Sequence, residues 1–280
     1  MHSQHTLKDV FEFEGVGLHT GAQASVRVRP QVAGSGVRFR LDDGAVSFPA
    51  HAGYVVETRR ATVLGSGDRT VSTVEHLLAA LFAMGVDNAA IDVDGPEIPV
   101  MDGSSAAFAE AIAKVGLVDQ HTPRSIFTIE QPIVVRDGDA LLSISPAKEF
   151  RIRFAVDYAP PIGAQFIDAA IDPDYFIREI APARTFGYLH EVEALRSAGL
   201  ARGGSLDNAL VFAPGGPLTP LRWHNEVVRH KVLDLIGDFS LLGGWPNLDV
   251  VSVKSGHRLH ARAANELRAS VDSHRTAYGA

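Results

Sequence analysis

The feature that most constrains the fold is an order of sequence patterns that occurs twice along the 280 residues. Each half begins with strand-like stretches, continues with a helical stretch, and then has another strand, a loop and a second helix. In the first half, ASVRVRP and VRFRL alternate apolar and charged residues, as half-buried strands do. We therefore predict an α+β fold with an internal duplication, in which two α+β layers pack face to face. A ligand site shared by both halves is expected in the seam.

Changes of period and turn residues give the expected element boundaries. The chain up to about residue 60 is predicted as strands, and residues 119–125, which are polar and contain a proline, are predicted as a linker. The predicted domains are residues 1–120 and 126–280. Helices are expected at residues 73–84, 104–115, 225–242 and 260–270.

Composition excludes several classes of site. The chain has no cysteine, so disulfides and thiolate metal sites are impossible and any metal needs His, Asp or Glu ligands. The formal net charge of −7 argues against non-specific nucleic-acid binding, which requires a strongly basic face. No secretory signal and no apolar run of roughly 20 residues is visible. We expect a bacterial cytoplasmic protein without a transmembrane segment.

A polar face is predicted on the helix that contains RHKVLDLIGD. At about 100° per residue, Asp234 lies about 40° and Asp238 about 80° from His230, away from the main apolar stripe. An HxxxD pair can chelate one metal ion, by the geometry that serves the two histidines of HExxH. The alternative is a solvated polar face with an incidental i,i+4 pair.

The segment STVEH also has two interpretations. Ser72 and Glu75 match a capping box, in which Glu75 satisfies the start of a helix. Alternatively Glu75 is a general base and His76 a metal ligand. With His230 and Asp234 from the distant helix, His76 would complete three protein ligands with an open fourth position, which is the arrangement of catalytic zinc.

Taken together, the motifs resemble one family. GVGLHTG, STVEHLLAAL, PEIPVMDGSS, ARTFG, GGSLDNALV, RHKVLDLIGD and KSGH occur in the order and rough spacing of the UDP-3-O-acyl-N-acetylglucosamine deacetylases, over about residues 4–267. The resemblance implies two similar domains, each a β-sheet with two helices, and an active site between them. It implies zinc-dependent hydrolysis of the N-acetyl group of UDP-3-O-(3-hydroxyacyl)-N-acetylglucosamine to the free amine and acetate, the committed step of lipid A biosynthesis.

The same resemblance implies roles for individual residues. The zinc ligands are His76, His230 and Asp234, and Glu75 is the general base. The His₂Asp set also accepts Fe²⁺. The remaining implied roles are His257 as the cationic partner, Asp238 as the carboxylate that orients it, Thr185 as the oxyanion donor, Lys231 and Phe186 as contacts to the nucleotide-sugar, and His19 and Leu18 as residues near the substrate.

An inserted segment in the second half is expected to form an apolar passage for the fatty acyl chain. It corresponds to about residues 184–211 and carries Val192, Leu195, Leu200, Leu206 and Val211. From the residues alone, the alternative is that these side chains are ordinary core. One departure from the family pattern is VVETRRATVL, where Arg59 and Arg60 make the expected rim of the substrate site more basic.

Two rival functions follow from the same residues. A different zinc amidohydrolase would share the metal and Glu75 but would not need an acyl passage. A lipid- or nucleotide-sugar-binding protein would tolerate the loss of both. The expected partner is the small-molecule lipid nucleotide-sugar, and the expected oligomeric state is a monomer.

Overall fold

The structure, a computed structural model, describes residues 3–278, with side chains as far as residue 270. The elements of the first half are β1 (Ser3–Leu7), β2 (Phe11–Val16), β3 (Gln23–Pro30), β4 (Val37–Leu41), β5 (Val46–Pro49), β6 (Val55–Glu57), β7 (Val63–Ser66), β8 (Arg69–Val71), α1 (Glu75–Ala83), β9 (Ala89–Asp94), α2 (Ala106–Val115) and β10 (Leu117–Pro123).

The second half repeats this plan and adds an insert. Its elements are β11 (Ile126–Phe127), β12 (Ile133–Asp137), β13 (Ala140–Pro146), β14 (Arg151–Asp157), β15 (Ala164–Ala170), α3 (Pro173–Tyr175) with a π turn at Phe176–Ile180, β16 (Phe186–Tyr188), α4 (Val192–Ser197), β17 (Leu210–Ala213), β18 (Gly216–Pro217), α5 (Glu226–Ser240), β19 (Trp245–Pro246), β20 (Leu248–Val253) and α6 (His257–Tyr278).

The two five-stranded sheets have the same topology. Their strand orders are β2-β3-β9-β4-β5 and β12-β13-β20-β14-β15, so the strand of each sheet that comes last along the chain lies between the second and third strands of that sheet. That strand makes the one parallel pairing in each sheet, β4 with β9 and β14 with β20. The predicted α+β fold is confirmed. We propose that the domains are residues 1–120 and 126–280, and the repeated topology supports this division.

Two local predictions were wrong. Residues 119–125 are largely not an irregular linker, because Leu117–Pro123 pairs antiparallel with β1, with Leu7 opposite Leu117 and Ser3 opposite Pro123. The partner strand lies more than 100 residues away, and a polar, aperiodic segment carries no sign of it. The final helix begins at His257 rather than at residue 260, since the Gly256 carbonyl already accepts a helical bond from the His260 N–H at 3.0 Å.

Helices α1 and α5 pack against each other at the centre of the molecule. Every residue of α1 is buried, and so is almost all of α5 from Glu226 to Phe239. Gly237 allows this close approach, because a Cβ at that position would be in hard contact with the backbone carbonyl of Glu75. The glycine therefore lets the polar face of α5 lie directly beside the first turn of α1.

Among the described residues, no helix is long and apolar enough to span a membrane.

We expect Gly237→Ala to destabilise the protein by about 3 kcal/mol or more, the upper end of the range for overpacking. The atoms in the way belong to the backbone of α1, so no side chain can rotate to relieve the contact. The change would be measured as the free energy of unfolding in urea. Gly215→Ala is the matched control, because its new methyl group would enter open space. Equal stability of the two variants would contradict the assigned packing.

Candidate active site

A cavity of about 590 Å³ opens between the two halves, and we call it the central cleft. Its walls come from the first turn of α1, the middle of α5 and the start of α6. The loop of residues 17–22, between β2 and β3, and the residue before β16 complete them. The residues predicted from the sequence that line it are Leu18, His19, Glu75, His76, Thr185, Phe186, His230, Lys231, Asp234 and His257.

Three of these side chains form a cluster with inward-facing ligand atoms. Asp234 Oδ1 lies 3.4 Å from His230 Nε2 and 3.8 Å from His76 Nε2. His230 Nδ1 donates to the Ala183 carbonyl at 3.0 Å, which leaves its Nε2 lone pair facing the cluster. Asp234 Oδ1 is buried and has no hydrogen-bond partner. A buried carboxylate oxygen without a donor indicates that a cation belongs there.

The protonation states suit a metal ion. Burial lowers the pKa of His76 to about 3, with a further lowering by His230, and burial also lowers the pKa of His230. Both imidazoles are therefore neutral, as ligands must be. Burial raises the pKa of Asp234, but the positive charges of Lys231 and His257 outweigh it, so the pKa is lowered and the group stays ionised. These three residues fit a divalent cation in the way the sequence predicted.

Two other His/Asp/Glu groups lie close enough together to be considered as metal sites. In the group of Asp238, His257 and His260, both imidazole Nδ1 atoms already contact Asp238 Oδ2, at 2.8 and 2.7 Å. In the group of Glu75, Asp234 and His257, the Asp234 oxygen that faces His257, Oδ2, already accepts from Lys231 Nζ at 2.6 Å. Neither group offers three free ligand atoms, whereas His76, His230 and Asp234 do.

Glu75 and His257 face each other beside this cluster. His257 Nε2 lies 3.6 Å from Glu75 Oε1 and 3.8 Å from Asp234 Oδ2. Burial raises the pKa of Glu75 to about 8, although His257 opposes the shift. Burial lowers the pKa of His257, but Asp238, Glu75 and Asp234 outweigh it and raise the pKa to about 9. The site thus pairs a carboxyl that titrates near neutrality with a cationic imidazole.

The capping box predicted for Ser72 and Glu75 does not form. The first turn of α1 has no side-chain cap, and Glu75 Oε2 instead accepts from the backbone N–H of Thr62 at 3.1 Å. The Glu75 carboxylate is therefore turned into the cleft rather than back onto its own helix.

Asp238 lies behind His257 and has a second partner that the sequence analysis missed. Its Oδ2 accepts from Nδ1 of both His257 and His260. His260 Nε2 in turn contacts the Ser255 hydroxyl at 2.7 Å. Burial raises the pKa of Asp238, but His257 and the two hydrogen bonds outweigh it and lower the pKa to about 2. Because the helix was predicted to begin at residue 260, His257 fell outside it, and the i,i+3 spacing that places both histidines on one helix face was not recognised.

Lys231 contacts the carboxylate of Asp234, three residues further along α5. It leaves the helix about 100° from His230 but only about 60° from Asp234, and its Nζ reaches Asp234 Oδ2 at 2.6 Å. The ammonium group is buried, and Asp234 raises its pKa more than burial lowers it. Lys231 thus neutralises a ligand as well as lining the cleft. Its predicted contact with the nucleotide-sugar stays a prediction.

The GVGLHTG loop is held in place by a buried carboxylate to which the sequence analysis gave no role. Glu97, in the PEIP motif, accepts from the backbone N–H groups of His19 and Thr20 and from the hydroxyls of Thr20 and Thr73. This network fixes Leu18 and His19 at the mouth of the cleft. The PEIP motif itself was the signal, but its position in the sequence gave no indication of a partner loop about 78 residues away.

Thr185 and Phe186 enter the cleft from the start of the insert. The Thr185 N–H donates to the Gly103 carbonyl at 2.7 Å, which ties the insert to the first half. The Phe186 ring contacts the His230 ring edge-on, with 6.1 Å between centroids. The Phe186 ring therefore lies beside His230, and Thr185 lines the same cleft. The roles predicted for both residues stay predictions.

A second cavity, of about 390 Å³, continues from the central cleft and is mainly apolar; we call it the apolar passage. Leu18, Phe186 and His19 line both cavities, so the two are continuous. Of the five insert residues, Leu200 is not among the lining side chains. The lining residues that the sequence predicted are Val192, Leu195, Leu206 and Val211. None of these four is fully buried, so the alternative of ordinary core is wrong for them.

Comparison with known proteins gives a consistent result. Residues 4–269 match the family model described as UDP-3-O-acyl N-acetylglycosamine deacetylase (LpxC). A protein named UDP-3-O-acyl-N-acetylglucosamine deacetylase from Nostoc sp. (strain PCC 7120) is 47% identical, covering 95% of this chain and 98% of its own. Proteins of the same name from Geobacter sp. (strain M21) and Teredinibacter turnerae are 45% and 41% identical. They cover 94% and 98% of this chain and 88% and 92% of their own.

Proposed function

Because this chain belongs to the UDP-3-O-acyl N-acetylglycosamine deacetylase family, we propose that it hydrolyses the N-acetyl group of UDP-3-O-(3-hydroxyacyl)-N-acetylglucosamine. The products are acetate and the free amine, in the lipid A pathway. The observation that carries the proposal is the partnerless Asp234 Oδ1, which faces two neutral imidazoles beside the Glu75–His257 pair. That arrangement provides ligands, a base and a cation in one cleft.

The proposed cofactor is Zn²⁺, held by His76, His230 and Asp234, and the same ligands also accept Fe²⁺. A divalent cation in this position supplies Lewis-acid activation of water and of the acetamide carbonyl. The charges of the Asp234 carboxylate and the Lys231 ammonium cancel before any ion binds.

The residues around the cluster carry the proton transfers. Glu75, in its ionised form, accepts a proton from the attacking water as the new C–O bond forms at the acetamide carbon, which is the role of a general base. Protonated His257 and the Thr185 hydroxyl stabilise the negative charge that develops on the carbonyl oxygen. The C–N bond then breaks, and the amine takes a proton from Glu75 or His257. Asp238 keeps His257 oriented and charged.

The two cavities divide the substrate between them. The sugar and its diphosphate would occupy the central cleft, near Lys231 and Phe186, while the 3-O-acyl chain would enter the apolar passage. Leu18 and His19 lie at the junction, where the ester-linked carbon of the sugar would sit. Monomeric state and a cytoplasmic location stay predictions.

The proposal is tested by acetate release from two substrates, UDP-3-O-(3-hydroxyacyl)-N-acetylglucosamine and UDP-N-acetylglucosamine, with zinc-loaded protein. We expect kcat/KM to be greater by at least about 10²-fold with the acylated substrate, because several methylenes are buried at about 0.8 kcal/mol each. Equal rates on both would favour a different zinc amidohydrolase. Binding of the acylated substrate without acetate release would favour the binding-protein alternative.

A further inference from the structure

Thr62 joins the two halves of the site without lining either cavity. It follows the loop of residues 58–61 in the first half, whereas Asp238 and His257 belong to α5 and α6 of the second. The residue is 1% exposed, so it cannot contact the substrate. Every polar group it has is nevertheless directed at the groups assigned to the chemistry or at the helix that carries them.

The hydroxyl of Thr62 contacts Asp238 and His257. It donates to Asp238 Oδ1 at 2.5 Å, and its oxygen lies 3.2 Å from His257 Nδ1. Since Asp238 Oδ2 is occupied by the two histidines, the Thr62 hydroxyl is the donor that holds the other carboxylate oxygen. It therefore fixes the rotation of the carboxylate about its own bond, and with it the direction of the His257 ring.

The backbone of Thr62 contacts Glu75 and the residue that precedes α1. Its N–H donates to Glu75 Oε2 at 3.1 Å, which leaves Oε1 as the oxygen 3.6 Å from His257 Nε2. Its carbonyl accepts from the Val74 N–H at 3.3 Å, so Thr62 is also tied to the start of α1. One residue thus sets the separation between the Glu75 carboxylate and the His257 imidazole.

We propose that Thr62 is a positioning residue for the deacetylation, holding Glu75 through its N–H and His257 through Asp238. The proposal rests on the proposed function, because it assigns Thr62 to the reaction carried out by those groups. A residue that only orients reacting groups affects the rate of the chemical step more than substrate binding. Outer partners that orient catalytic groups typically contribute about 10–100-fold in activity.

The test compares Thr62→Val, which replaces the hydroxyl by a methyl group of similar size, with Thr62→Ser, which keeps the hydroxyl. We expect Thr62→Val to lower kcat about 10–100-fold with KM close to the wild-type value. Thr62→Ser should recover most of that loss. Thr6→Val is the matched control, because Thr6 is also buried and its hydroxyl is also hydrogen-bonded, but to the Asn88 carbonyl in another part of the molecule. Its kcat should equal that of the wild type.

A double-mutant cycle with Asp238→Asn separates positioning through Asp238 from an independent effect. If Thr62 acts through Asp238, Thr62→Val should cost little further rate in the Asp238→Asn background. Multiplying effects would overturn the proposal, and so would a Thr62→Val kcat equal to that of Thr6→Val or a Thr62→Ser variant as slow as Thr62→Val. If the valine variant does not fold, Thr62→Ser decides by itself, and a Thr62→Ser kcat about 10-fold or more below that of Thr6→Val would overturn the proposal. If the wild-type protein itself released no acetate, the proposed function would fail first, and separately.

Discussion

Glu75→Gln is expected to lower kcat for acetate release by about 10²–10⁴-fold, the usual contribution of a general base. The amide has the shape of the carboxyl group, and its oxygen can still accept from the Thr62 N–H, but it cannot take a proton from water. The assay is acetate release under saturating substrate. Zinc content, measured on the same samples, should be unchanged because Glu75 is not one of the assigned ligands.

The matched control for this prediction is Glu110→Gln, at an exposed position on α2 in the same half of the molecule. Its activity should equal that of the wild type. A Glu75→Gln variant that retained a wild-type kcat with its metal bound would remove Glu75 from the mechanism. The proton would then have to pass to another group in the cleft.

Removal of the metal is expected to abolish acetate release and to lower thermal stability, both recovered on addition of one equivalent of Zn²⁺. A ligand that binds only the folded state stabilises it by about 4 kcal/mol at 1,000 times its Kd. We expect the metal-free protein to fold. It should unfold at a lower temperature, because the buried Asp234 Oδ1 then has no partner. Loading with Fe²⁺ in place of Zn²⁺, under anaerobic conditions, compares the two candidate metals.

The corresponding variant is His230→Ala, which should bind zinc much more weakly than the wild type because one of three protein ligands is lost. His121→Ala is the control, since the His121 side chain is 88% exposed and is not among the side chains that line the central cleft. Zinc affinity is measured by competition with a chromophoric chelator. If His230→Ala and His121→Ala bound zinc equally well, the assignment of the ligand set would be wrong.

Local patterns were sufficient for part of the site. The i,i+4 spacing of His230 and Asp234 needs only the helical period, so their common face could be predicted before any tertiary contact was known. The same holds for the amphipathic strands and for the absence of thiolate ligands. The order of motifs along nearly the whole chain then indicated the family, and with it the residues from distant segments that complete the cleft.

The remaining features depend on contacts between segments far apart in sequence. The pairing of β10 with β1 and the hydrogen bonds from the GVGLHTG loop to Glu97 both join groups for which no periodic pattern exists.

Residue chemistry and helical period thus determined which side chains could bind a metal and which faces they share. Only the tertiary structure decided which of these side chains meet. Gly237 allows α5 to pack directly against α1, and Thr62 of the first half donates a hydrogen bond to Asp238 of the second. The pKa values follow from that same step, since burial and the charges of neighbouring groups exist only once the two halves have come together.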